Sequence, residues 1–486
     1  MADDRCESTA IRTMTVLGVA ALLLPTAVPV AHAEDGWIRQ DLESADRVGL
    51  VLDDGALRLD AEEVGGPAAP RRDPGSARSG LATFPEQPLE EATDVLDVRL
   101  QGEGTAEDVT AEARGTRSDG MWTEWHPVPD GGGRVILDAG VFEVQVRVKV
   151  DGADAAIDGV RLRPLEPLDA EPEQGDGSDE ADETDGSDGG AENGEGDGDP
   201  ENGEDSENGE GAGNDGDAEN GEGEEGSVEE DVPDPPFSAR LFATRIGLVG
   251  GTTANGHTVR PDDHFAALPS RRGLAARGGG EYTVRVCTTG ALGPEGRGDT
   301  ENHEPRCVYL PVWDVGPWNI TDDHWNDDRQ SWRDLDRGRP QAQAAYAEGY
   351  NDGLDGFGRR VANPAGIDLA DGAFRHGLQL PTNGWVEVDY LWTGEYRARA
   401  EIATSTRSDP VIVRDGPGLE FDPVGLAAHA ANVDVECRTA GDSATGPFGT
   451  DRAWYRIGAD HYVPAVFADG GDQAPECAPG TAPPRP

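Results

Sequence analysis

The stretch from residue 171 to residue 230 contains 26 aspartates and glutamates and not one lysine or arginine. Its other residues are mostly Gly, Asn, Ser and Ala, so almost no apolar surface is available to offset the entropy of ordering it. Such a stretch reads as an extended, self-repelling linker, set here at 167–239, that divides the chain in two. A calcium-binding acidic repeat is the alternative reading. Against it, no fixed ligand spacing recurs with a bulky strand residue between repeats.

The chain has 486 residues and a formal charge of −56. That length calls for two to four domains. Outside the acidic stretch the chain still carries −30, so its surface is expected to hold neither nucleic acid nor an anionic bilayer.

Residues 1–33 read as a secretory signal. An apolar run from Val16 to Leu24 is followed by Ala31-His32-Ala33, a small-residue cleavage pattern, and Pro25 and Pro29 break the run too early for a membrane span. Asp3, Asp4 and Glu7 offset Arg5 and Arg12, which leaves Met14 as an alternative start. The expected location is secreted, extracellular or cell-wall associated, with no stable membrane span once the signal is removed. Cleavage after Ala33 leaves four cysteines, Cys287, Cys307, Cys437 and Cys477. Two local pairs in an exported chain predict one disulfide in each of two domains.

The pattern is mainly β. Residues 34–89 are rich in Asp, Gly, Pro and Arg and read as a loose leader. In 90–166, Val144, Val146, Val148 and Val150 alternate with Gln145, Arg147 and Lys149, a half-buried strand signal that predicts a small β-sandwich. Trp122 and Trp125 are expected on one packed face of that sheet. Residues 240–395 carry two alternating runs, Tyr282 to Val286 and Val308 to Val312, joined by the Cys287 and Cys307 pair, and a third from Trp385 to Trp392. A short helix is predicted from Pro340 to Tyr350 inside an insertion at about 319–364, ended by glycines. A connector over 396–432 leads to a small disulfide-clipped β module at 433–486.

Asp314 ends an apolar strand and precedes a Gly-Pro turn, so a rigid element would present its side chain at a cleft. Four segments in this region then match one family in order. Thr253-Ala254-Asn255-Gly256, Ala267-Leu268-Pro269, Trp313-Asp314-Val315-Gly316-Pro317-Trp318 and Ile367-Asp368-Leu369-Ala370 resemble the corresponding motifs of the double-psi β-barrel shared by RlpA-like lipoproteins and expansins. The resemblance covers about 150 residues. It implies that Asp314 is the conserved acid, able to protonate a glycosidic oxygen if burial raises its pKa, with Asp368 a second carboxylate. His264 is the candidate base or hydrogen-bond donor. The active wall-cleaving members carry their histidine just before Leu-Pro, where this chain has Ala266 and Ala267. The stretch from about 91 to 163 loosely resembles an accessory domain of exported actinobacterial peptidoglycan amidases, and the tail resembles small cysteine-clipped modules of exported wall enzymes.

Candidate ligand contacts are Trp318, Asn319 and Trp325, whose planes or amide suit a sugar. Asp322, Asp323, His324, Asp327 and Asp328 hold ligand-type atoms, but an Asp-rich loop is commonly just solvated, so no metal is assigned. No phosphate loop, dinucleotide fingerprint or nucleophile elbow is present and no cofactor is expected. The sequence therefore points to an exported binder of cell-wall glycan. Its alternatives are a peptidoglycan-cleaving enzyme using Asp314, and a non-catalytic surface protein.

Overall fold

The computed structural model describes residues 36–60, 79–105, 108–167, 233–288, 290–291, 301–302 and 306–480. The signal and nearly all of the acidic linker lie outside the described residues. The described residues on both sides of the linker belong to one compact unit. The fold is mainly β.

The first half forms one sandwich-like sheet, in the order Asp46–Val48, Gly80–Thr83, Gly132–Val150, Gln87–Glu103, Ala156–Pro164, Ala56–Leu59 and Leu50–Asp53, with Val109–Thr116 also paired to Gly132–Val150 and two two-residue strands beside it. Strands from the expected leader are thus part of the sheet. They belong there because Leu50, Leu57 and Phe84 are buried in the same core as the four alternating valines.

The sequence reading of the strand Gly132–Val150 also needs revision. Its valines face the sandwich core as expected, but Gln145 and Arg147 on the opposite face are buried too. That face is covered by the second half of the chain. Arg147 pairs with Glu112 at 2.6 Å and donates to the backbone oxygen of Arg271 at 2.7 Å. Arg114 pairs with Glu281 at 2.8 Å.

Beyond the linker, six strands close into a barrel. We number them β1 (Phe237–Arg245), β2 (Ala266–Leu268), β3 (Thr283–Cys287), β4 (Cys307–Val315), β5 (Ala365–Leu369) and β6 (Gly384–Tyr390). Around the ring the order is β2, β5, β1, β6, β3, β4 and back to β2. The β1–β5 and β2–β4 pairings are parallel and the others antiparallel. Closure leaves the ring without a free edge. Cys287 and Cys307 face each other across β3 and β4 and form a disulfide. The helix α1 (Gln341–Glu348) follows Pro340 and stops at Gly349, whose φ of +73° suits glycine.

The sheet does not end at the barrel. Strand β4 also pairs in parallel with Pro423–Ala427, and the ladder continues through Val411–Arg414, His461–Pro464 and Gly449–Gly458 to Cys437–Gly446. The expected connector therefore contributes strands. Val411 and Val413 share a core with Val433, Tyr455 and Val463 of the clipped module, whose Cys437–Cys477 disulfide is formed.

Of the buried polar contacts between the two halves, Glu124 gathers the most partners. Trp125 packs in the barrel core rather than in the sandwich, and its indole donates to the backbone oxygen of Leu274 at 3.1 Å. Beside it, Glu124 accepts from the indoles of Trp325 and Trp392, from the amide of Asn326 at 2.7 Å, and pairs with Arg272 at 3.1 Å. Removing one member of such a buried group strands the others. Glu124→Ala should lower the free energy of unfolding by about 3–5 kcal/mol in urea titrations, with Glu124→Gln losing less because its amide oxygen still accepts from an indole. A change in Glu124→Ala below about 1 kcal/mol would show that solvent replaces this contact at little cost.

Candidate functional site

Strand β2 is only three residues long and is flanked on both sides by aspartates. Its Ala267 is register partner to Asp314 on β4 and to Asp368 on β5, and Asp368 is in turn partner to Thr244 on β1. Asp314, Ala267, Asp368 and Thr244 thus form one row across four adjacent strands. Both aspartates are partly exposed, while Ala267 is buried.

Each aspartate follows an irregularity in its strand. The β2–β4 register steps from Ala266–Val312 to Ala267–Asp314, so Trp313 is the extra residue on β4. The β1–β5 register steps from Phe242–Ala365 to Ala243–Ile367, so Gly366 is the extra residue on β5. Such bulges re-aim the side chains that follow them. Gly366 suits the second bulge, because a Cβ there would lie 2.6 Å from a ring carbon of Pro340.

The loop before β2 anchors Asp314. Its Oδ1 accepts from the backbone N–H of Ala254 at 2.8 Å and of Val315 at 2.9 Å. The loop is held by its own side chains. Thr253 donates to Asn255 at 2.7 Å, Asn255 donates to the backbone oxygen of Ala276 at 3.1 Å, and His257 meets Asp263 at 2.6 Å with both side chains buried. The His257 ring lies 4.8 Å from that of Trp313. Both residues lie in segments that the sequence marks for attention, 251–257 and 262–269, but sequence reasoning gave neither a role.

Burial pushes the Asp368 carboxyl up to about 7, and the nearby charge of Asp314 pushes the same way, while a hydrogen bond from the Thr244 hydroxyl opposes them. Asp368 is therefore a carboxyl that titrates close to neutral pH rather than in the usual carboxylate range. His264 is not part of this pair. It is buried beside Gly372, past the end of β5, and burial pushes its imidazole down to about 4, so the ring is neutral.

The candidate ligand contacts divide. Trp318 is partly exposed, packs on Ala342, Ala345 and Val361, and donates to Asn363 at 3.1 Å. Asn319 is buried, donating to Gln341 and accepting from the backbone of Gly356, each at 2.7 Å. Trp325 is fully buried in the barrel core. These last two hold the insertion in place and do not face solvent.

The acidic loop is likewise not simply solvated. Asp322, Asp323 and His324 are buried, with Asp322 paired to Arg329, Asp323 to Arg272 at 2.8 Å, and His324 hydrogen-bonded to Tyr390 at 2.6 Å. Among the described residues no group of three or more His, Cys, Asp or Glu is arranged to hold a metal ion, and no helix is long and apolar enough to cross a membrane.

One family model, described as a domain of unknown function (DUF8814), matches residues 237–389, the span of the barrel. No curated protein and no solved structure matches the chain.

The Asp368 shift has a consequence for stability. Its folded value, about 7, lies above the ordinary 3.8, so the native state binds this proton more firmly than the unfolded chain. The stabilisation is complete below 3.8 and is lost as pH rises towards 7. Asp368→Asn should remove that slope. Melting temperatures compared from about pH 4 to about pH 7 should show the variant gaining on the parent as pH rises; parallel curves would place Asp368 in the ordinary carboxylate range.

Proposed function

We propose that this chain is an exported, wall-associated protein whose barrel engages a peptidoglycan-type glycan at the Asp314–Asp368 face, and that the pair supports acid-catalysed cleavage of a glycosidic bond. The observation that carries this reading is the row of Asp314, Ala267 and Asp368 on adjacent strands, supported by the Asp368 carboxyl being pushed up to about 7. The closed six-stranded ring with two parallel pairings supports a barrel reading of the resembling segments. Two formed disulfides and the apolar run near the N-terminus support export.

In this chemistry Asp368, rather than Asp314, donates the proton to the departing glycosidic oxygen as the C–O bond breaks. Asp314 takes the proton from the attacking water or sugar hydroxyl. One strand stands between the two, so their backbones are about 9–10 Å apart.

Binding without cleavage is the second reading. The observation favouring it is the burial of His264 beside Gly372, which leaves its ring little access to a bound glycan as a third proton-transfer group.

Incubation with purified insoluble peptidoglycan at about 0.15 M salt separates these readings. Cleavage should release soluble fragments, and Asp368→Asn or Asp314→Asn should cut that release by about 10²–10⁴-fold while the protein still pellets with the wall. Pelleting without release would leave the binding function alone. Neither pelleting nor release would sink the glycan reading and favour a structural surface protein.

A further inference from the structure

A cleft that shares no lining residue with the carboxylate row lies at the seam between sandwich and barrel. One wall is His126, Pro127 and residues 134–136 of the strand Gly132–Val150; the other is Arg272 with Asp328, Gln330 and Arg333 of the insertion. Its volume is about 310 Å³, the lower end of the range for small-molecule sites.

Three guanidinium groups line it, Arg134, Arg272 and Arg333, from three separate segments of a chain whose formal charge is −56. Arg272 is held rigidly. Its Nε faces Glu124 at 3.1 Å, and its Nη1 donates to Asp323 at 2.8 Å and to the backbone oxygen of Asp328 at 3.3 Å. Its Nη2 makes no hydrogen bond among the described residues, and the 12% of the side chain left exposed opens on the cleft.

Arg134 is exposed and has no ion pair among the described residues. Arg333 is 68% exposed; its Nε donates to the backbone oxygen of Arg329 at 2.8 Å, and its Nη2 meets the 89% exposed Asp328 at 3.4 Å, an ion pair of little worth in water. Glu124 and Asp323 are committed to the back of Arg272, and Asp138 to His126 at 2.9 Å. Beside these donors, Pro127 and Ile136, which is 57% exposed, supply an apolar side.

We propose that this cleft binds an oxyanion, a carboxylate or phosphate, carried on a small apolar body. The planar forks of Arg134 and Arg333 clasp the anion, Arg272 adds a fixed donor, and Ile136 covers the body. No step of the proposed glycan chemistry uses this site.

Isothermal titration of the whole chain with inorganic phosphate, glycerol 3-phosphate and hexanoate tests it. Saturable binding of at least one probe is expected at low ionic strength, weakening as salt is raised. Preference for the two phosphates or for hexanoate identifies the source of the anion. Arg134→Gln and Arg333→Gln, both outside the Glu124 cluster, should each weaken binding by about tenfold or more, with melting temperature reporting that the fold is kept. Ile136→Ser should weaken hexanoate more than inorganic phosphate, and Asp368→Asn should change nothing, so this site and the glycan reading fail separately. Absence of saturable binding by all three probes, or affinities within about twofold of the parent in the Arg134→Gln, Arg333→Gln double variant, would overturn the proposal.

Discussion

Glu124 is buried, and the partners that make its burial tolerable come from parts of the chain more than a hundred residues away. Two indoles, an amide and a guanidinium converge on its two oxygens. Taking a carboxylate out of water costs several kcal/mol unless its lone pairs are filled. Here they are filled only when residues of the sandwich, the insertion and the segment after β6 arrive together. Thr123 beside it accepts from the buried Tyr282 hydroxyl at 2.6 Å, and the Arg114–Glu281 and Arg147–Glu112 pairs extend the same seam. The sandwich is thus a wall of the barrel's own core rather than a module tethered to it.

The choice of cation fits that use. Lys149 is the only lysine in the chain, and every other basic residue apart from the histidines is arginine. An ammonium is a compact, strongly hydrated charge, whereas a guanidinium spreads its charge over a planar fork and satisfies several acceptors at once. Arg114 illustrates this: it bonds Glu281 and Gln145 while its guanidinium lies 4.2 and 4.3 Å from the ring centres of Trp122 and Trp125. In so acidic a chain, arginines placed inside neutralise the carboxylates that folding buries.

The alternation of Val144 to Val150 and of Val308 to Val312 was enough to read strands, because one apolar face per strand is a local property of the sequence. Both disulfides were legible for a similar reason, each joining the cysteines nearest in a pairwise set. What was not legible was burial of polar residues. Gln145 and Arg147 have the spacing of a solvent face, and Asp322 to His324 have the composition of a solvated loop, yet both are covered by elements distant in sequence. At the site, Asp314 and Asp368 were found through local motifs. Their alignment on either side of Ala267 depends on two bulges and a parallel crossover, which no local pattern encodes. The buried state of Trp325 and Asn319 was missed because both belong to an insertion whose packing partners lie outside it.

The family match spans residues 237–389, and that boundary does not coincide with the boundary of the folded core. A chain beginning at Phe237 would retain the ring, its disulfide and the aspartate row. It would also retain the indoles of Trp325 and Trp392, the hydroxyl of Tyr282, Glu281 and Arg272, all of which find partners on residues 114–124. Unfilled, each is a buried polar group with the full cost of its desolvation. The barrel that carries the carboxylates therefore needs the sandwich to complete its interior, even though the acidic segment separates the two by more than sixty residues of sequence. Removing the sandwich wall strands its partners together, because Glu124 alone serves two indoles, an amide and a guanidinium.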